Sequence, residues 1–68
     1  MATVDARGLS CPQPVILTRK AIEAGEFPIE VLVDTATSRD NVTRAAQRAG
    51  LKVTVEEAPT GFRLVIKR

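Results

Sequence analysis

The apolar positions of this 68-residue chain fall into six blocks. The period inside each block names the element it predicts. Residues 3–6 read as a short strand with Val4 turned inward, and Gly8 breaks the chain where a positive φ angle is tolerated. Val15, Thr18 and Ile22 then recur at helical spacing, with Leu17, Ala21 and Ala24 beside them. Pro12 suits the first helical position, whose N–H has no partner in any case. Pro14 falls in the same first turn, and Gly25 is a good terminator. This predicts a helix over 12–24, with Arg19 and Lys20 towards its C-terminal end.

Residues 29–33, Ile-Glu-Val-Leu-Val, are β-branched and mostly apolar, as in a central strand. Asp34 ends the run. Thr37 and Asp40 stand at capping-box spacing, with Asp in place of the usual Glu or Gln. They predict a second helix running to about Ala49, with Val42, Ala45, Ala46 and Ala49 inward and Gly50 as its cap. Residues 51–56 alternate, placing Leu51, Val53 and Val55 on one face. Ala58-Pro59-Thr60-Gly61 carries turn residues, and residues 62–67 make the last strand. The last two strands pair as an antiparallel hairpin. The expected fold is α/β in the two-layer α+β sense, β-α-β-α-β-β, with both helices on one face of a four-stranded mixed sheet. No linker or repeat divides it, so residues 1–68 are expected to be one domain.

Composition tightens this picture. Nineteen Val, Ile, Leu and Phe residues and nine alanines supply an aliphatic core, with no Trp or Tyr. That exceeds the level at which disorder is the better reading, although so short a chain must complete its core to fold alone. One cysteine excludes an internal disulfide and suggests a reduced, cytoplasmic setting. No apolar run approaches the ~20 residues of a membrane span, and no basic-then-apolar leader precedes the fold. Without histidine, most zinc and iron sites fall away, as do Cys–His and Ser–His catalysis. No metal or other cofactor is expected. A net charge of +2 is weak evidence for nucleic acid, because the cations are scattered and no aromatic residues are interleaved for stacking.

Candidate chemistry therefore centres on Cys11, within Ser10-Cys11-Pro12-Gln13-Pro14. The thiolate is the nucleophilic form, and a helix N-terminus lowers a thiol pKa from its reference of about 8.5. Two prolines remove two N–H donors from that first turn, so the thiol is expected to be only modestly acidified. They also stiffen the segment that carries the sulfur. The competing reading is a buried structural cysteine, since cysteine is among the most buried residue types.

The stretch Asp5-Ala6-Arg7-Gly8-Leu9-Ser10-Cys11-Pro12-Gln13-Pro14-Val15 resembles the signature of the TusA/SirA-like family of small sulfur carriers, whose hallmark is Cys-Pro-x-Pro at the first helix. The resemblance continues through Arg19-Lys20. It continues again through Asp34-Thr35-Ala36-Thr37-Ser38-Arg39-Asp40, which is similar to the family's segment before the second helix. It covers essentially the whole chain. The opening and Asn41-Val42 resemble the YedF-like branch, linked to selenium metabolism. The resemblance implies a fold like the C-terminal domain of translation initiation factor three. It also implies a sulfurtransferase-type carrier function. Cys11 would take a sulfane sulfur from a donor protein such as a cysteine desulfurase or rhodanese, hold it as a persulfide and pass it to an acceptor. Members serve tRNA thiolation, molybdenum-cofactor maturation or sulfur oxidation.

Each supporting residue has a plainer alternative. Pro12 and Pro14 shape the sulfur site or simply start the helix. Arg7, the nearest cation in sequence to the cysteine, stabilises an anionic sulfur or is a solvated charge. Arg19 and Lys20 dock an acidic partner patch or complement the helix dipole. Asp34 is a site residue or a turn residue. Arg39, Arg44 and Arg48 face a partner or RNA, or form a solvated face. Two rival functions stand beside the carrier. One is a redox sensor, which would need an intermolecular disulfide because no resolving cysteine is present. The other is a nucleic-acid-binding or regulatory module with a non-catalytic cysteine, suggested by fold analogy alone.

Overall fold

The computed structural model describes residues 2–9 and 12–68. The element order is β1 (Ala2–Asp5), α1 (Gln13–Ala24), β2 (Ile29–Val33), α2 (Ala36–Arg48), β3 (Lys52–Ala58) and β4 (Gly61–Lys67), matching the expected β-α-β-α-β-β succession. The strands form one mixed sheet in the order β1-β2-β4-β3. β1 runs parallel to β2 with Val4 opposite Val31. β4 is antiparallel to both neighbours, with Leu64 opposite Val31 on one side and Val55 on the other. The hairpin strand β4 is thus inserted between β2 and β3, which are parallel to each other.

This register puts Val31, Leu64 and Val4 on one face. Ile29, Val31, Val33, Leu64 and Ile66 there are fully buried with Val42 and Ala46 of α2, and Val15, Leu17, Ala21 and Ile22 of α1 pack against them. Both helices therefore cover the same face. The opposite face carries Thr3, Asp5, Glu30, Arg63 and Glu56. Arg63 bridges Glu30 of β2 and Glu56 of β3 across the sheet. Such a cross-strand charged row keeps the uncovered face wet. β3 is an edge strand; Leu51 and Val53 at that edge pack against the core, whereas Val55, expected inside, is 43% exposed. Ala49, also expected inside, is exposed at the C-cap of α2.

The starts of both helices differ from expectation, as does the placement of one basic pair. Pro12 is the N-cap of α1 rather than its first helical residue, and the helix opens at Gln13 with Pro14 in the first turn. Arg19 and Lys20, expected towards the C-terminal end, sit in the middle of α1, whose last turn contains no basic residue. In α2 the cap is Thr35, not Thr37. The Ser38 N–H donates to Thr35 Oγ1 at 3.1 Å, while Thr37 lies within the helix and Asp40 pairs with Arg39. The reason is that Thr35 is the first extended residue after Asp34, so the helix starts as soon as β2 ends. A Thr-x-x-Asp spacing further on is then helix interior. The C-terminal ends follow expectation. The Gly50 N–H donates to Gln47 O and the Leu51 N–H to Ala46 O, with Gly50 at φ 79, a Schellman closure.

Candidate functional site

The segment between β1 and α1 carries Cys11 in its sequence, and two contacts fix its described first half. The Ala6 N–H donates to Leu32 O at 2.8 Å, extending the β1–β2 pairing one residue and burying Ala6 completely. The chain then turns through Gly8 at φ 77, and the Gly8 N–H donates to Asp34 Oδ2 at 2.8 Å. Asp34 thus links the end of β2 to the loop that leads towards Cys11, across 26 residues of sequence. It serves more than a local turn.

Arg7 lies in the same turn and grips Asp5. Its Nε and Nη2 donate to the two carboxylate oxygens at 2.9 Å each, and its backbone N–H donates to Oδ1 at 3.2 Å. The guanidinium hydrogen bonds hold the Asp5 carboxyl at about 2, below its ordinary 3.8. The same bonds, then the charges of Asp5 and Asp34, raise the Arg7 pKa. Arg7 is therefore engaged by Asp5 instead of being a free cation.

Cys11, with Ser10, lies outside the described residues, as does the expectation about its burial and acidity. Its described neighbours define the setting. Pro12 is exposed and Pro14 is fully buried, so the second proline anchors the helix start to the core while the first faces solvent. The Ile16 N–H closes the first turn on Pro12 O at 3.1 Å. The Thr18 hydroxyl, itself buried, donates to Pro14 O at 2.8 Å, which satisfies the only buried hydroxyl on α1. Proline has no N–H, so Gln13 and Val15 carry the remaining backbone donors ahead of Ile16. Leu9 and Ile16, on either side of the cysteine in sequence, are 38% and 41% exposed.

The predicted docking cations separate. Arg19 lies on the stripe of Pro12, Val15 and Ile22 that borders α2, and it lines two adjoining hollows between the helices. Lys20 is exposed and lines neither. Sequence reasoning grouped Arg39, Arg44 and Arg48. The structure instead stacks Arg39 over the Phe62 ring at 4.6 Å and brings Arg44 and Arg48 to the groove beside Arg19. The i, i+4 spacing of Arg44 and Arg48 was visible in the sequence, but their meeting with Arg19 depends on how α1 and α2 pack. Among the described residues no helix is long and apolar enough to cross a membrane.

The fold is two helices on one face of a four-stranded mixed sheet, the first helix opening on Pro12 and Pro14, and proteins of a known family resemble it. The family model described as sulfurtransferase TusA matches residues 2–68. An inferred sulfur carrier protein of Methanocaldococcus jannaschii is 39% identical, covering 100% of this chain and 95% of its own length. A similarly named protein of Archaeoglobus fulgidus is 36% identical over 100% of this chain and 97% of its own. The crystal structure of a SirA-like protein from Desulfitobacterium hafniense superposes with a TM-score of 0.85 at 38% identity, covering 98% of this chain and 95% of that one. The chain belongs to the TusA sulfurtransferase family.

Proposed function

We propose that this protein is a sulfur carrier whose Cys11 accepts sulfane sulfur as a persulfide and relays it to a partner protein. Family membership across residues 2–68, in a chain whose only cysteine is Cys11, is the observation that carries this reading. The Cys11 thiolate attacks the outer sulfur of a donor persulfide. A new S–S bond forms to Cys11, the donor's S–S bond breaks, and the donor leaves as a thiolate. An acceptor thiolate then attacks the outer sulfur on Cys11, and Cys11 leaves as thiolate. Each step is exchange without net redox change, so neither a histidine base nor a cofactor is required.

In this reading Pro12 and Pro14 mount the sulfur rigidly, one exposed and one anchored. Arg7 shapes the loop by way of Asp5, and Arg19 and Lys20 offer positive charge to acidic partners. The donor is a cysteine desulfurase or a rhodanese, the setting is the reduced cytoplasm, and residues 1–68 act as one unit.

Intact-mass measurement after incubation with a cysteine desulfurase and cysteine tests the proposal. The wild type gains one sulfur atom and Cys11→Ala gains none. An active donor that leaves Cys11 unmodified would sink the reading.

A further inference from the structure

Seven arginines occur in the chain, and four are engaged by the protein itself. Arg7, Arg39 and Arg63 pair with carboxylates, and Arg68 stacks over Phe27 at 4.9 Å. The other three, Arg19, Arg44 and Arg48, form no ion pair among the described residues. All three are exposed, and all three line the same groove between α1 and α2, which consists of two adjoining hollows of about 300 and 270 Å³. Val15, Ile22 and Ala45 give it an apolar floor, and Glu23 is the single carboxylate on its lining. One end is bounded by Pro12, the residue that follows Cys11.

Three unpaired cations along an apolar trough complement a chain segment that is acidic on its flanks and apolar along one stripe. No aromatic side chain lines the groove, so bases of a nucleic acid would find nothing to stack on. We propose that this groove seats an acidic amphipathic segment of the protein that exchanges sulfur with Cys11. The identity of that partner rests on the carrier reading; the groove's preference for such a segment does not.

Two measurements separate the claims. Fluorescence anisotropy is read with a labelled amphipathic helical peptide bearing a leucine stripe flanked by glutamates. The wild type binds it, binding weakens as salt rises, and Arg44→Glu with Arg48→Glu weakens it roughly tenfold or more. A lysine-flanked version and a uridine-rich RNA bind less well. Peptide binding that the double substitution leaves unchanged overturns the proposal, and so does preference for the RNA. Cys11 loading by a cysteine desulfurase is then compared with loading by inorganic polysulfide. The double variant lowers the ratio of the two rates roughly tenfold. An unchanged ratio means that the groove does not dock the donor. If wild-type Cys11 takes sulfur from neither source, the carrier reading fails, while the peptide measurement still decides the groove.

Discussion

At the scale of single residues, Asp5 and Arg7 form a closed unit in the turn before the cysteine. The pair is exposed, with side chains about half accessible, so its worth to stability is small. Its titration is nevertheless distinctive. The folded carboxyl titrates at about 2 against an ordinary 3.8. Because the folded value is the lower one, the pair's contribution is complete above the ordinary value and is lost as pH falls towards 2. Near neutral pH it does not vary. Following the Asp5 carboxyl carbon by NMR should give a midpoint near 2, and Arg7→Ala should return it towards 3.8. A wild-type midpoint in the usual carboxylate range would show that the two side chains do not hold each other in solution.

At the scale of elements, the two helices start by different means. Among the described residues α1 has no side-chain cap, and it opens on Pro12 and Pro14. Prolines preset φ and leave fewer orphan donors to satisfy. α2 uses Thr35, whose hydroxyl accepts from Ser38 N. Thr35→Ala should therefore cost about 1 kcal/mol of folding stability in chemical denaturation. Thr37→Ala, inside the helix and exposed, should change it by less than about 0.5 kcal/mol. Equal losses from the two substitutions would move the cap back to Thr37. The elements themselves were plain in the sequence, because Ile29-Glu30-Val31-Leu32-Val33 and the stripe Val15-Thr18-Ile22 carry strong periods. Their starts were less plain. Several residues in 34–40 can cap a helix, and only the end of β2 selects among them.

At the scale of the whole molecule, the loop before the cysteine is tied to the far end of the chain. Gly61 opens β4 at φ 147, where a Cβ would come within 2.2 Å of Val33 O and 2.6 Å of Asp34 Cα. These are backbone atoms, so the main chain itself would have to move. Asp34 in turn holds Gly8. Gly61→Ala should destabilise the fold by about 2 kcal/mol or more and speed hydrogen exchange at the Gly8 amide. A variant with an unchanged melting temperature and unchanged Gly8 exchange would refute this linkage. The hairpin at 58–61 was legible from Pro59 and Gly61, yet nothing local revealed that β4 inserts beside β2 and brings Gly61 against Val33.

The sequence by itself determined the succession of elements, the aliphatic core, the lone sulfur and the family resemblance, because these follow from local period, composition and short motifs. Tertiary structure alone decided the strand order β1-β2-β4-β3, the bond from Gly8 to Asp34, and the meeting of Arg19 with Arg44 and Arg48. Each of these joins residues distant in the chain. Such pairs are set by which faces bury together, a choice made by the packed whole and carried by no single stretch of residues.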